Sequence, residues 1–458
     1  MKLERTTFET SRAGEYLESR QLSALTGVAP QQFASVILKE SFDNALDACE
    51  IAGVPPEIDI EVRTDQGAIY LTVSDNGPGI PPEVVRKVLD YNVKVSDKAA
   101  YRSPTRGAQG NALKTIIGIP YALGAREPVI ICARGVRHEI APSVDPAGHV
   151  HFDYSSSPEV TEVTEGTSVS LMIPAWDSSG GTTQDFDVLH WVRSFAAFNP
   201  HATLCYQAND GGAQLAEIYK STCADIKKYI PSEPTSPHWY SVASLKVLVF
   251  NHIVHARSGG SDLPLGEFVR QFAGLTSTRK AKAVTAPLVE AGFSHLSKFA
   301  EDEEQVAQLL ARMQAESKPP KASALGHVGE EHFRTFFENV YTEVKEYNYV
   351  RKSGTLPSGL PFTFEFALAV LEQEEEGHLY CGINFSPTFG DPLQGTTLVG
   401  PKFKADGIQG FLAEGYALPK TQRMWYRSPA SVAVAAHIIT PAPVFLDRGK
   451  TRLDMERA

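Results

Sequence analysis

Cysteine is sparse in this chain, with five in 458 residues: Cys49, Cys132, Cys205, Cys223 and Cys381. They are odd in number, scattered and without a CxxC pair, so neither a disulfide framework nor a zinc site is indicated. No run of eighteen apolar residues occurs, and the N-terminal MKLERTTFETSRAGEY has no apolar signal core. The expectation is therefore a cytoplasmic protein with no membrane partner. Positive charge is in deficit, with 43 Lys and Arg against 54 Asp and Glu and a net charge of −11. That balance argues against a surface coating nucleic acid nonspecifically, because such affinity comes from many phosphate contacts. A local basic track stays open, and Arg279, Lys280 and Lys282 in TSTRKAKAV are its best candidate, although short runs of this kind are commonly solvated helix faces. The length exceeds one hydrophobic core and suggests roughly two to four domains.

The segment Glu40 to Glu50, ESFDNALDACE, puts acidic and amide side chains where a helix would bury apolar ones. A helix is predicted over about 31–52, ended by Gly53 with Pro55 and Pro56. At 3.6 residues per turn Phe33, Ile37, Glu40, Asn44 and Asp47 share one stripe, so an apolar line turns polar for two turns. Buried carboxylates and amides need partners, and a metal ion carrying a polyanionic ligand would supply them. Mg²⁺ prefers oxygen ligands and keeps several waters, so the Asn44 amide oxygen plus phosphate oxygens would suffice. Glu40, one turn away, suits the alignment and deprotonation of a water.

Downstream, Ile58, Ile60 and Val62 alternate with polar residues, TDQG makes a turn, and Ile69, Leu71 and Val73 alternate again. This reads as a half-buried hairpin that delivers Asp75 at a sheet rim. Two glycine-rich loops of the kind that bind nucleotides follow: DNGPGI (Asp75 to Ile80) and RGAQGNALK (Arg106 to Lys114). Further strand-like segments lie at Val129 to Ala133, Val150 to Tyr154 and Thr167 to Ile173. Helix plus antiparallel sheet, without an alternating βαβ pattern, makes the fold class α+β.

In this order and spacing, the three segments resemble the ATP-binding motifs of the GHKL superfamily, which includes gyrase B, type IIB topoisomerase B subunits, MutL, the ninety-kilodalton heat-shock chaperones, MORC proteins and sensor histidine kinases. The resemblance implies a Bergerat α/β sandwich with ATP and Mg²⁺ as cofactors. It assigns Glu40 to water activation and Asn44 to the metal. Asp75 would accept from the adenine amine, with Gly77 and Gly79 making the turn beside the base and Thr167 bordering the adenine pocket. Arg106, Gly107, Gln109 and Gly110 resemble the lid loop whose backbone N–H groups wrap the phosphates. Ala112 stands where the family has its third glycine. Asp47, Ile80, Lys98, Asn111 and Lys114 complete the expected nucleotide-binding set.

The second half resembles the B subunits of topoisomerase VI. Residues 261–316 read as short helices similar to their helix–two-turn–helix insert, and SALGHVGEEHFRTFF, from Ser323, resembles the start of their transducer domain. FTFEFALAVL and YCGINFSPTFGDPL supply two strand-like runs. AAHIITPAPVFLDRGKT resembles the loop that returns a lysine, here Lys450, to the γ-phosphate. A Walker A reading of GKT fails because Val444 stands where glycine is required. The expected organisation is a strap over 1–30, an ATPase domain over 31–255, a helical domain over 256–320 and a transducer-like domain over 321–458. The resemblance implies an ATP-operated gate: an ATP-induced homodimer acting on DNA with a separate topoisomerase A-like or nuclease subunit. The family's long helix after the switch lysine has no counterpart in TRLDMERA, so partner binding is expected to use another surface or to be absent. An ATP-dependent clamp or chaperone-like switch is the alternative.

Overall fold

The computed structural model describes residues 12–91, 100–107, 111–146, 148–158, 165–174, 187–372, 375–394, 407–412, 426–428, 431–447 and 450–454. After α1 (Ser19–Thr26) comes α2 (Phe33–Ala52), the predicted long helix. Gly53 ends α2 in the left-handed region at φ 69°, where its N–H reaches the Cys49 and Glu50 carbonyls. Strands β1 (Glu57–Asp65) and β2 (Ala68–Asp75) form the predicted hairpin, closed by Gln66 and Gly67 at φ 47° and 77°. Two left-handed residues match the right-handed twist of the flanking strands. Next come α3 (Pro82–Val88), α4 (Ala112–Ala122), β3 (Val129–Ala133), β4 (Val136–Val144), β5 (Val150–Pro158), β6 (Thr167–Pro174), α5 (Val188–Phe198), β7 (Thr203–Asp210) and β8 (Ala213–Tyr219).

These strands make one sheet in the order β5-β4-β3-β6-β2-β1-β7-β8, antiparallel except where β7 runs parallel to β1. Helix α2 packs on β2 and β6, α4 on β4 and β6, and α5 on β7. Phe42, Leu46, Ile116 and Phe195 of these helices are buried in the core. The result is the expected α/β sandwich, with both glycine loops at one end of it.

The helical unit begins earlier than residue 256. Helix α6 (Val242–Arg257) opens with a Ser241/Ser244 capping box and packs on α9 (Gln305–Ala315), beside α7 (Leu265–Arg270) and α8 (Thr278–Glu290). The first sheet ends at Tyr219, and the expected boundary at 255 falls inside α6. Of the three cations in the basic track, Arg279 and Lys282 are exposed, whereas Lys280 Nζ donates to the Gly274 carbonyl at 2.9 Å.

Helix α10 (Glu330–Val340) packs on α5 and on a second sheet. That sheet runs in the order β12-β11-β13-β10-β9, from β9 (Val344–Thr355), β10 (Pro361–Leu371), β11 (Leu379–Ile383), β12 (Ser386–Pro387) and β13 (Val432–Ile439). β13 is buried at every position, because a cluster containing Leu393, Ile408, Leu412 and Leu453 covers the sheet as well. Residues 12–26 of the expected strap dock on their own domain: Tyr16 is buried edge-on against Tyr91 at 4.9 Å, and Ser19 Oγ donates to the Ala122 carbonyl. Among the described residues, no helix is long and apolar enough to cross a membrane.

Candidate active site

A cavity of about 790 Å³ lies between α2, the loop preceding α4, and the second sheet. Glu40, Asn44 and Asp47 line it from α2, and Gly79, Ile80 and Thr167 line it from the sheet rim. The polar stripe is thus a cavity wall rather than a core face: Phe33 and Ile37 are sealed at 0% and 1% exposure, while Asn44 is exposed to the cavity and Glu40 half-buried. Burial lifts the Glu40 carboxyl above its ordinary range, and Lys39 and Lys450 only partly oppose this. A base raised in this way is better matched to taking a proton near neutral pH.

At the sheet rim, two glycines are needed by their surroundings. A Cβ on Gly166, at φ 83°, would meet the Asp75 carbonyl oxygen at 1.7 Å, and one on Gly79, at φ 72°, would meet the Gly166 oxygen at 2.7 Å. Their close approach brings the DNGPGI loop onto β6, where Ile80 N–H donates to Thr167 Oγ1 at 3.3 Å. Asp75 is half-buried behind the cavity wall rather than on it, and its Oδ1 accepts from Gly77 N–H at 2.8 Å. Burial pushes its pKa up to about 6, against the backbone donors of Gly77 and Thr167.

Of the expected nucleotide-binding residues Arg106 and Lys114, Arg106 lines the cavity and Lys114 does not, and both side chains are engaged within the fold. The Arg106 side chain is 1% exposed; its Nη1 donates to Asp47 Oδ1 at 3.0 Å and Glu50 Oε1 at 2.9 Å, and its Nη2 donates to Asn199 Oδ1. Glu50 also accepts from His201 Nε2 at 2.8 Å and Lys228 Nζ at 2.6 Å. Burial alone would raise the Glu50 carboxyl, but Arg106, Lys228 and His201 hold it well below the ordinary range. Burial and the neighbouring Arg106 push Lys228 down to about 8. Asp47 therefore lines the cavity while its carboxylate is engaged by Arg106. Lys114 is 1% exposed, with Nζ donating to the Asp90 carbonyl at 2.8 Å. Gly107, Asn111 and Ala112 of the same loop also line the cavity. Lys98, Gln109 and Gly110 lie outside the described residues.

The loop's root is tied to the helical unit. Arg102 N–H donates to Tyr240 Oη at 2.9 Å, and Tyr101 Oη sits 3.4 Å from His252 Nε2 and 3.3 Å from Gln271 Oε1.

Lys450 arrives from the second unit. The chain folds back after β13 so that Leu446 N–H donates to the Arg452 carbonyl at 3.0 Å and Asp454 N–H to that of Val444 at 2.8 Å. Asp447 caps this loop, accepting from Thr451 N–H at 2.9 Å, Thr451 Oγ1 at 2.8 Å and Arg452 N–H at 3.1 Å. The cap holds Lys450 at φ 54° and sends its side chain into the cavity, where a Cβ built on Gly107 would lie 3.8 Å from Nζ. Burial and Lys39 pull the Lys450 pKa down, while Glu40 and Asp43 oppose them.

Sequence reasoning missed Lys39, Ser386, Asn199 and Lys228. Lys39 adjoins Glu40 and could have been included on that ground alone; Ser386 and Asn199 carry no local signal, since their roles come from contacts between distant segments.

The family model described as histidine kinase-, DNA gyrase B-, and HSP90-like ATPase matches residues 30–176, the span from the start of α2 to the end of β6. The B subunit of type 2 DNA topoisomerase 6 from Archaeoglobus fulgidus is 26% identical over 355 residues, which are 74% of this chain and 54% of that protein. The protein of the same name from Methanosarcina mazei is 30% identical over 224 residues, 46% of this chain and 33% of that protein. The chain spans about half or less of the length of these curated relatives. Among solved structures, the B-subunit of the DNA gyrase from Myxococcus xanthus overlays at a TM-score of 0.37 and 13% identity, covering 97% of this chain and 89% of that one, an overlap too loose to carry an argument.

Proposed function

We propose that this chain, which carries an ATPase domain of the histidine kinase-, gyrase B- and HSP90-like kind over residues 30–176, binds and hydrolyses ATP to operate a dimeric gate of the topoisomerase VI B type. The gate would act on DNA with a separate cleavage subunit. The observation that carries this reading is the meeting of Glu40 on α2 with Lys450 from the second unit in one cavity.

In the proposed reaction Glu40 orients a water and takes its proton as the water oxygen attacks the γ-phosphorus. The bond from that phosphorus to the bridging oxygen breaks, and ADP leaves with the bridging oxygen. Backbone N–H groups of the loop before α4 and the Lys450 ammonium would face the terminal phosphate, and the DNGPGI rim the adenine. Asn44 fits a magnesium ligand, since its amide is exposed on the cavity wall. An ion bound to one amide and to phosphate oxygens would neutralise phosphate charge.

Coupling to a gate is supported by the route of the chain, because Lys450 can follow the terminal phosphate only if the second unit moves with it. Light scattering with and without a nonhydrolysable ATP analogue tests this. A shift from monomer or weak dimer to dimer is expected; one unchanged mass would count against the gate.

A further inference from the structure

Beside Glu40, three side chains close a ring. Lys39 Nζ lies 2.6 Å from Asp43 Oδ2 and 2.8 Å from Ser386 Oγ, and Ser386 Oγ donates to the same Asp43 oxygen at 2.8 Å. Lys39 and Asp43 belong to α2, whereas Ser386 opens β12 and is only 5% exposed. An ammonium carries three donors. Two are taken by this ring, and Lys39 lines the cavity, so the third is available to an anion there.

Ser386 is held by a strained turn. Asn384 and Phe385 sit at φ 51° and 65°, a region that costs a bulky residue energy and persists only when its surroundings over-determine it. Here Thr440 N–H donates to Asn384 Oδ1 at 2.9 Å, Phe385 N–H to His437 Nε2 at 3.0 Å, and Asn199 Nδ2 to the Phe385 carbonyl at 3.0 Å. The hydroxyl is thereby placed by His437 and Thr440 of the second unit together with Asn199 at the end of α5. Among the second-unit residues that line the cavity, Lys450 brings a cation of its own and Ser386 acts on Lys39.

We propose that Ser386 is a positioning residue for hydrolysis, fixing Lys39 as a second cation for the terminal phosphate of the nucleotide and making the second sheet's placement a condition for turnover. This rests on the reading of the cavity as an ATP site. Lys39 and Lys450 flank the same space from different units, so an anion between them draws α2 and the second sheet together.

The test compares the full chain with Ser386→Ala, Ser386→Thr, Lys39→Met and the Lys39→Met/Ser386→Ala double variant, measuring kcat, KM and ADP affinity by calorimetry, with Glu40→Gln as a control. Ser386→Ala is expected to lower kcat about tenfold with ADP affinity unchanged, and Ser386→Thr, which keeps the hydroxyl, to recover turnover. In the Lys39→Met background the serine change should add nothing, because its effect passes through the lysine. Wild-type kcat in Ser386→Ala, or full additivity in the double variant, overturns the proposal. If those results appear while Glu40→Gln still abolishes turnover, the ATPase reading stands and only the role of Ser386 falls. A wild-type chain that does not hydrolyse ATP overturns both.

Discussion

Arg106 Nη1 lies 2.9 Å from Glu50 Oε1, and the two side chains are only 1% and 4% exposed, so the loop before α4 is fastened to α2 by a desolvated ion pair. The pair does not end there. Arg106 also reaches Asn199, whose Nδ2 donates to the Phe385 carbonyl in the second sheet at 3.0 Å. One guanidinium thus joins the loop, α2, the C-terminal end of α5 and the second sheet.

Removing one member of a buried pair leaves an uncompensated charge, which costs about 3–5 kcal/mol. Arg106→Ala should therefore lower unfolding stability by about that amount, as read in urea denaturation. The sign with pH follows from Glu50, whose folded pKa is depressed. Its contribution is fully present above the unfolded carboxylate value and is lost as pH falls through the folded one. The stability gap between wild type and Glu50→Gln should accordingly hold at neutral pH and shrink in strong acid.

Glu40→Gln should separate turnover from binding. The amide keeps the shape of the cavity wall but cannot take a proton, so hydrolysis should fall by about a hundredfold or more while nucleotide still binds. Steady-state ATPase assays paired with calorimetry check this; normal turnover in the variant would remove Glu40 from the mechanism.

Asp75 should make nucleotide affinity sensitive to mild acid. Its pKa is pushed up to about 6 by burial, and in the proposed site the carboxylate, standing behind the wall, accepts from the adenine amine, for which its ionised form is the stronger acceptor. Above pH 6 the acceptor is charged and affinity should be level; as pH falls through 6 it should decline. Because the folded pKa exceeds the unfolded one, the same group favours the folded state most in acid, so weaker binding below pH 6 would not come from loss of fold through this residue. Asp75→Asn should weaken ATP and flatten the profile in a calorimetric titration.

The helix, the hairpin and the glycine loops were legible because each has a local cause: a 3.6-residue period, alternation, and backbone that no side chain can accompany. Gly166 and Gly79 show the last most plainly, since an added Cβ would strike a carbonyl at 1.7 and 2.7 Å. The directions of Arg106 and Lys114 were not legible. Both stand in a loop read as phosphate-binding, yet their charges are consumed by carboxylates and a carbonyl that arrive from other elements. Ser386 meets Lys39 across 347 positions of sequence, a separation over which no periodicity speaks. The place of α6 relative to the expected 255 boundary was not legible for a related reason, because α6 is a helix whichever unit it joins and its packing on α9 is a tertiary contact.

Asn44→Ala should abolish the magnesium dependence of nucleotide binding. Asn44 offers an exposed amide on the wall where Glu40 and Asp47 also lie, and its loss leaves the ion without its protein oxygen. Calorimetry with ATP, with and without Mg²⁺, should show a difference for wild type and none for the variant.

Lys450→Ala tests whether the second unit follows the nucleotide. The lysine is carried on a loop capped by Asp447, and its Nζ lies beside Gly107, across the boundary between the two units. ADP lacks the terminal phosphate, so the lysine gains differential contacts only with ATP; a group with such a preference shifts a conformational equilibrium, and one without it does not. The variant should keep its ADP affinity, lose much of its ATPase rate and lose the change in small-angle scattering that an ATP analogue induces in wild type. The cap offers an internal comparison. Asp447→Ala removes the acceptor for Thr451 and Arg452 without touching the ammonium, and should weaken the same response less than Lys450→Ala does. If Lys450→Ala hydrolyses ATP at the wild-type rate and compacts normally with the analogue, the lysine is a passive resident of the cavity, and the link between the two units must run through Arg106 and Asn199 instead.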